Sequence, residues 1–93
     1  MARVIWTEAA ERDLDDILAY YVEEASLEVA QAVFERMRTQ VASLHLFPLR
    51  CRPGRVAGTR EYVLHRLPYI AVVRVIDDDV LVLALMHTAR RYP

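Results

Sequence analysis

Ninety-three residues, 55% of them hydrophobic and 27% charged, make one small domain spanning 1–93, with room for a modest core and no second domain. The single cysteine, Cys51, excludes an internal disulfide, and no Cys/His spacing suits zinc; neither a metal nor a cofactor is expected. The formal net charge of −1 hides an asymmetry: residues 1–49 hold four arginines against nine acids, and residues 50–93 hold eight against four.

Ala2 to Trp6 reads as a short strand. Thr7 then fits a helix N-cap, with Glu8 and Glu11 where the helix dipole favours acids. Ala10, Leu14, Ile17, Leu18, Tyr21 and Ala25 recur at helical spacing, so an amphipathic helix follows. Ser26 caps a second helix, whose expected core face is Ala30, Phe34, Met37, Val41 and Leu44, and which ends before Pro48. The short link between them folds the two helices into an antiparallel hairpin. Residues 49–58 read as a loop, punctuated by Pro53, Gly54 and Gly58. Three strands follow, Thr59–Arg66, Tyr69–Ile76 and Val80–His87, with turns at Leu67-Pro68 and Asp77-Asp78-Asp79. The order βααβββ predicts an α+β fold: a helical hairpin on one face of a small antiparallel sheet. The longest apolar run, Val80 to Met86, is far shorter than the roughly 20 residues of a membrane span, and the N-terminus lacks a secretory apolar region. A soluble, cytoplasmic protein is the expectation.

Strand alternation puts Arg60, Tyr62, Leu64 and Arg66 on one face, Glu61, Val63 and His65 on the other, and Leu81, Leu83, Leu85 and His87 together on one side of the last strand. If register allows, Arg60, Arg74, His87 and the tail Arg90-Arg91-Tyr92 share a surface for a target. Each also has a structural reading. Arg60 and Glu61 make a solvated strand pair, His87 a satisfied structural histidine, and the tail arginines an ordinary polar end. Arg90, Arg91 and Tyr92 together form a basic-aromatic cluster able to contact phosphates and stack on a ring. The three aspartates 77–79 read as a solvated hairpin turn, because adjacent carboxylates there do not converge on one cation. Cys51 lies between Arg50 and Arg52, a setting that can lower a thiol pKa. Trp6, Tyr20 and Tyr21 read as core and rim packing.

Three strings, Arg55-Val56-Ala57-Gly58-Thr59-Arg60-Glu61, Pro68-Tyr69-Ile70 and His87-Thr88-Ala89-Arg90-Arg91-Tyr92-Pro93, occur in order at spacings similar to those of the RelE/ParE toxin superfamily, the ParE branch most of all. The resemblance covers essentially the whole chain. It implies the toxin half of a type II toxin–antitoxin module, of the plasmid-stabilisation kind. The toxin would be paired with a ParD-like antitoxin in a hetero-oligomer and would inhibit DNA gyrase by protein–protein contact, without catalysis. The alternative within the superfamily is a RelE-like, ribosome-dependent mRNA endonuclease, with His87, Arg90 and Tyr92 as catalytic candidates beside Arg60. A further alternative is a degenerate toxin that only binds antitoxin. RelE-like ribonucleases carry cations on the sheet, which phosphate chemistry needs. At the matching positions this chain has Glu61, Val63 and Ile70, and only Arg90 agrees. One departure from the ParE pattern is Val73, where an aromatic residue is usual.

Overall fold

A computed structural model describes residues 3–46 and 51–89. The chain runs β1 (Val4–Trp6), α1 (Glu8–Glu24), α2 (Leu27–Ala42), a 3-10 turn (Ser43–His45), β2 (Arg52–Pro53), β3 (Arg60–Val63), β4 (Tyr69–Ile76) and β5 (Asp79–His87). Strands lie in the order β1-β5-β4-β3-β2, with the helical hairpin on one face. The α+β layering is the expected one, but the sheet is mixed. β2 to β5 are antiparallel, while β1 joins the β5 edge in parallel, Ile5 opposite Leu81. A parallel pair needs a long crossover, and here the rest of the chain supplies it. No helix among the described residues is long and apolar enough to cross a membrane.

Both predicted caps form. The Thr7 hydroxyl accepts the Ala10 amide at 3.2 Å and the Ser26 hydroxyl accepts that of Val29 at 3.1 Å, each meeting a donor with no partner inside its helix. Thr7 does more than cap. Its hydroxyl donates to the Val82 carbonyl at 2.7 Å, and its own amide donates to the same oxygen at 3.1 Å. Val82 borders an irregularity in β5. Val73 of β4 lies opposite Val82, whereas its neighbour Val72 lies opposite Ala84, so Leu83 is an extra residue. Such a bulge reverses the side-chain alternation beyond it. Val80 and Val82 face the helices before the bulge, and Leu85 and His87 face them after it. The expected common face of Leu81, Leu83, Leu85 and His87 is therefore broken. Beyond the reach of β1, the Leu85 amide donates to Asp13 of α1 at 2.9 Å.

The core joins Ala10 and Leu14 of α1, Val33, Met37 and Val41 of α2, Leu44, Cys51, and the helix-facing residues of the sheet, among them Ala71, Val73, Val80 and Val82. Ile17, Leu18 and Tyr21 pack at its margin. Phe34, expected in the core, is 38% exposed, and Val33 takes its place. One residue is a 100° rotation on a helix, and the buried line is Val33-Met37-Val41 at strict fourfold spacing. The Phe34 ring instead lies 5.3 Å from the Arg38 guanidinium, which also covers Trp6 at 4.4 Å and is held at 3.0 Å by both oxygens of Glu11.

Three boundaries differ from expectation. β3 stops at Val63 because Arg66 takes a left-handed conformation, φ 61°, in the turn that returns to β4. The 49–58 loop contains β2, paired to β3. Asp79 is the first residue of β5 rather than a solvated turn residue, and its carboxylate holds the Arg3 guanidinium at 2.9 Å. The hydrogen bond from Arg3 keeps the Asp79 carboxyl below its ordinary value of 3.8. Asp77, φ 54°, makes the tight turn.

Two predictions follow from this packing. Met37→Ala should cost about 2–5 kcal/mol in a denaturant melt, and Phe34→Ala no more than about 1 kcal/mol, because one leaves a core cavity and the other a solvated gap. A Phe34→Ala loss as large as that of Met37→Ala would place Phe34 in the core. The second concerns pH. A carboxyl with a depressed folded pKa stabilises above its unfolded pKa, and that contribution fades as pH falls through the folded value. Asp79→Asn should thus lower the melting temperature slightly near neutrality, with the difference from the parent closing below about pH 4. A difference that widens on acidification would contradict the assignment.

Candidate functional site

The β2–β3 corner is organised around one buried carboxylate. The Glu61 side chain is 4% exposed and sits on the sheet face away from the helices, opposite Val72. Arg52 donates to one oxygen at 3.1 Å; the Arg55 backbone amide donates to the other at 3.1 Å, with the Arg55 Nε 3.7 Å away. Gly54 closes the corner by donating to the Thr59 carbonyl at 2.8 Å. A Cβ on Gly54 would collide with the Thr59 hydroxyl and backbone, so only glycine fits there. Glu61 therefore pins residues 52–61, a role beyond the solvated strand pair that the sequence suggests.

The three positions matched to superfamily cations do converge. Val63 lies opposite Ile70, and Glu61 is on the same outer face two residues along β3. The patch they make is apolar beside a neutralised acid: Ile70 is buried, Val63 is 48% exposed, and the Glu61 charge is met by Arg52 and Arg55.

The six expected target-binding residues do not share one surface among the described residues. Arg60 lies opposite the core residue Val73, which puts it on the helix side, and its guanidinium donates to the Cys51 carbonyl at 3.1 Å. Arg74 is exposed on the outer face, its guanidinium beside Gly58. His87 lies opposite Tyr69, five residues from Arg74 along β4, or about 16 Å at strand rise. The bulge also turns it to the helix side. Register, then, separates Arg60, Arg74 and His87. Arg90, Arg91 and Tyr92 lie outside the described residues. Cys51 is buried, its side chain in the core cluster.

His87 packs edge-to-face on Tyr69, centroids 5.2 Å apart, and its Nδ1 accepts the Ala89 amide at 3.1 Å. With the Nδ1 lone pair engaged, the neutral form of His87 carries its proton on Nε2, which then donates rather than accepts. His87 and Tyr69 wall a cleft of about 490 Å³ whose other side is α1, with Asp13, Asp16, Tyr20 and Tyr21; Ile17 and Leu85 complete the lining. Sequence reasoning passed over this cleft, reading the tyrosines as packing. The signal was hidden because its two walls are about 50 to 70 residues apart in sequence, and the bulge turns Leu85 and His87 toward α1.

This architecture is shared. The solved chain from the chromosomal ParDE TA system of P. aeruginosa superposes with a TM-score of 0.88 at 30% identity, covering 94% of this chain and 96% of that one. A chain of the toxin–antitoxin complex RelBE2 from Mycobacterium tuberculosis superposes less closely, with a TM-score of 0.57 at 26% identity over 91% of this chain and 95% of that one. In sequence, the Sinorhizobium fredii (strain NBRC 101917 / NGR234) protein named "Putative toxin Y4kP" is 42% identical over 91 residues, 98% of this chain and 93% of that protein. The family model described as the ParE toxin of the type II toxin–antitoxin system parDE matches residues 4–92. With a relative at this identity and a family match over nearly its whole length, the chain belongs to the ParE toxin family of type II toxin–antitoxin systems.

Proposed function

We propose that this ParE-type toxin inhibits DNA gyrase in the cytoplasm by binding it, without making or breaking a bond, and that a ParD-like antitoxin restrains it in a hetero-oligomer. The observation that carries the non-catalytic reading is the Glu61–Val63–Ile70 patch. Cleaving RNA through its own 2′-OH needs positive charge at the phosphate and a proton acceptor. The outer face instead offers an aliphatic pair beside a carboxylate already paired with two arginines. His87 adds to this, since the Ala89 amide occupies the nitrogen that would accept a proton. Target binding is assigned to Arg74 on the outer face and to the C-terminal Arg90, Arg91 and Tyr92, while Arg60 is engaged with the Cys51 carbonyl and His87 with the Ala89 amide.

Support for an antitoxin partner comes from the two solved relatives, both from toxin–antitoxin systems, and from the surface itself. Tyr20, Val22, Leu27 and Val29 are 42–57% exposed around the hairpin bend, and Val63 and Ile76 are 48% and 47% exposed on the outer face. A small domain showing this much apolar surface fits one that is normally covered. The isolated chain should melt at lower temperature than the chain co-expressed with its antitoxin. Equal melting temperatures and equal monodispersity would count against a covering partner.

Mechanism is tested by two variants. His87→Gln keeps a hydrogen-bonding side chain and removes the titratable ring. Gyrase supercoiling inhibition should survive it within several-fold and be lost in the double variant Arg90→Glu/Arg91→Glu, which reverses charge on the target-binding end. Codon-phased cleavage of translated mRNA, falling by about 10²–10⁴ in His87→Gln, would instead establish the ribonuclease. Normal growth on induction of the parent chain would leave only antitoxin binding.

A further inference from the structure

The cleft between α1 and the β4–β5 end combines three features. Its walls are two edge-to-face aromatic pairs, Tyr20 with Tyr21 (centroids 5.4 Å apart) on the helix and Tyr69 with His87 on the sheet. Among the described residues its lining charges are the carboxylates of Asp13 and Asp16, with no arginine. Asp13 is held by the Leu85 amide, whereas the exposed Asp16 carboxylate makes no hydrogen bond or ion pair with another described residue. The surrounding helix is strongly acidic: Glu8–Glu24 carries seven carboxylates against one arginine, Arg12.

The protein shows elsewhere what such a combination holds. Arg38 lies over Trp6 and beside Phe34 while both Glu11 oxygens accept from it. That arrangement of ring faces and a carboxylate around one planar cation satisfies a guanidinium in both its stacking and its hydrogen-bonding directions. The cleft provides rings and carboxylates of the same kind, and no arginine or lysine among the described residues lines it. We infer that it receives an arginine side chain presented by a partner protein, with Asp16 as the hydrogen-bonding anchor and Tyr20 and Tyr21 as the stacking surface. Arginine is favoured over lysine because its flat, weakly hydrated head stacks and forks at once. The acidic length of α1 steers a basic segment toward the opening. This inference concerns a binding surface only and stands whether the target is gyrase or the ribosome.

The test is titration of the full chain, followed by amide chemical shifts, with the peptides acetyl-Gly-Arg-Gly-amide, its lysine and citrulline analogues, and free arginine. The arginine peptide should cause saturable shifts at Tyr20, Tyr21, Leu85 and His87 with half-saturation at roughly 1–10 mM, as expected for one side chain. Lysine should bind several-fold more weakly, and citrulline, neutral but of the same shape, should not saturate. Asp16 and Tyr20 are exposed, so Asp16→Asn and Tyr20→Ala should fold normally, and each should weaken the arginine peptide at least about fivefold. Equal responses to arginine and citrulline, or unchanged binding in Asp16→Asn, would overturn the inference. Tighter binding of free arginine than of the peptide would assign the cleft to a free amino acid and overturn the partner assignment.

Discussion

One hydroxyl holds the two layers of this fold in register. Thr7 accepts the Ala10 amide at the start of α1 and donates to Val82 in β5. It thereby fixes where β1 ends, where α1 begins and where β5 bulges. The bulge then decides which β5 side chains meet the helices. Without the extra residue at Leu83, strand alternation would send Leu85 and His87 to the outer face, and the core would lose Leu85. The cleft against α1 exists because of that reversal, and Asp13 secures it by meeting the Leu85 amide that β1 cannot reach.

The two faces of the sheet are consequently different environments. The helix side is a mainly aliphatic core whose part-buried polar contacts include the Thr7 cap, Asp13 with the Leu85 amide, and Arg60 with the Cys51 carbonyl. The outer side is mixed: a buried carboxylate with its arginines at the β2–β3 corner, an aliphatic pair at Val63 and Ile70, and Arg74 exposed beyond them. Glu61 holds the β2–β3 corner together. Removing it would strand the Arg55 amide and leave two arginines facing each other across the corner, so a cation could not replace it without rebuilding residues 52–61. The position is thus committed to holding a loop.

Charge is divided in the same spirit. α1 carries a concentrated negative field, while the arginines of the second half lie around the β2–β3 corner, on β4 and in the C-terminal segment.

The elements themselves were legible from residue order. The helix caps at Thr7 and Ser26, the hairpin, and the limits of β4 follow from local hydrogen-bonding chemistry and hydrophobic period, which act over a few residues. So did the family, because its motifs are short and contiguous. Tertiary structure alone decided the rest. Phe34 and Val33 are both apolar and one residue apart, and only the angle at which α2 meets the sheet selects Val33. The parallel edge of β1, the Leu83 bulge and the separation of Arg60, Arg74 and His87 depend on pairing between segments up to about 80 residues apart. A one-residue slip there reverses every following side chain, and nothing in the local sequence of β5 records it.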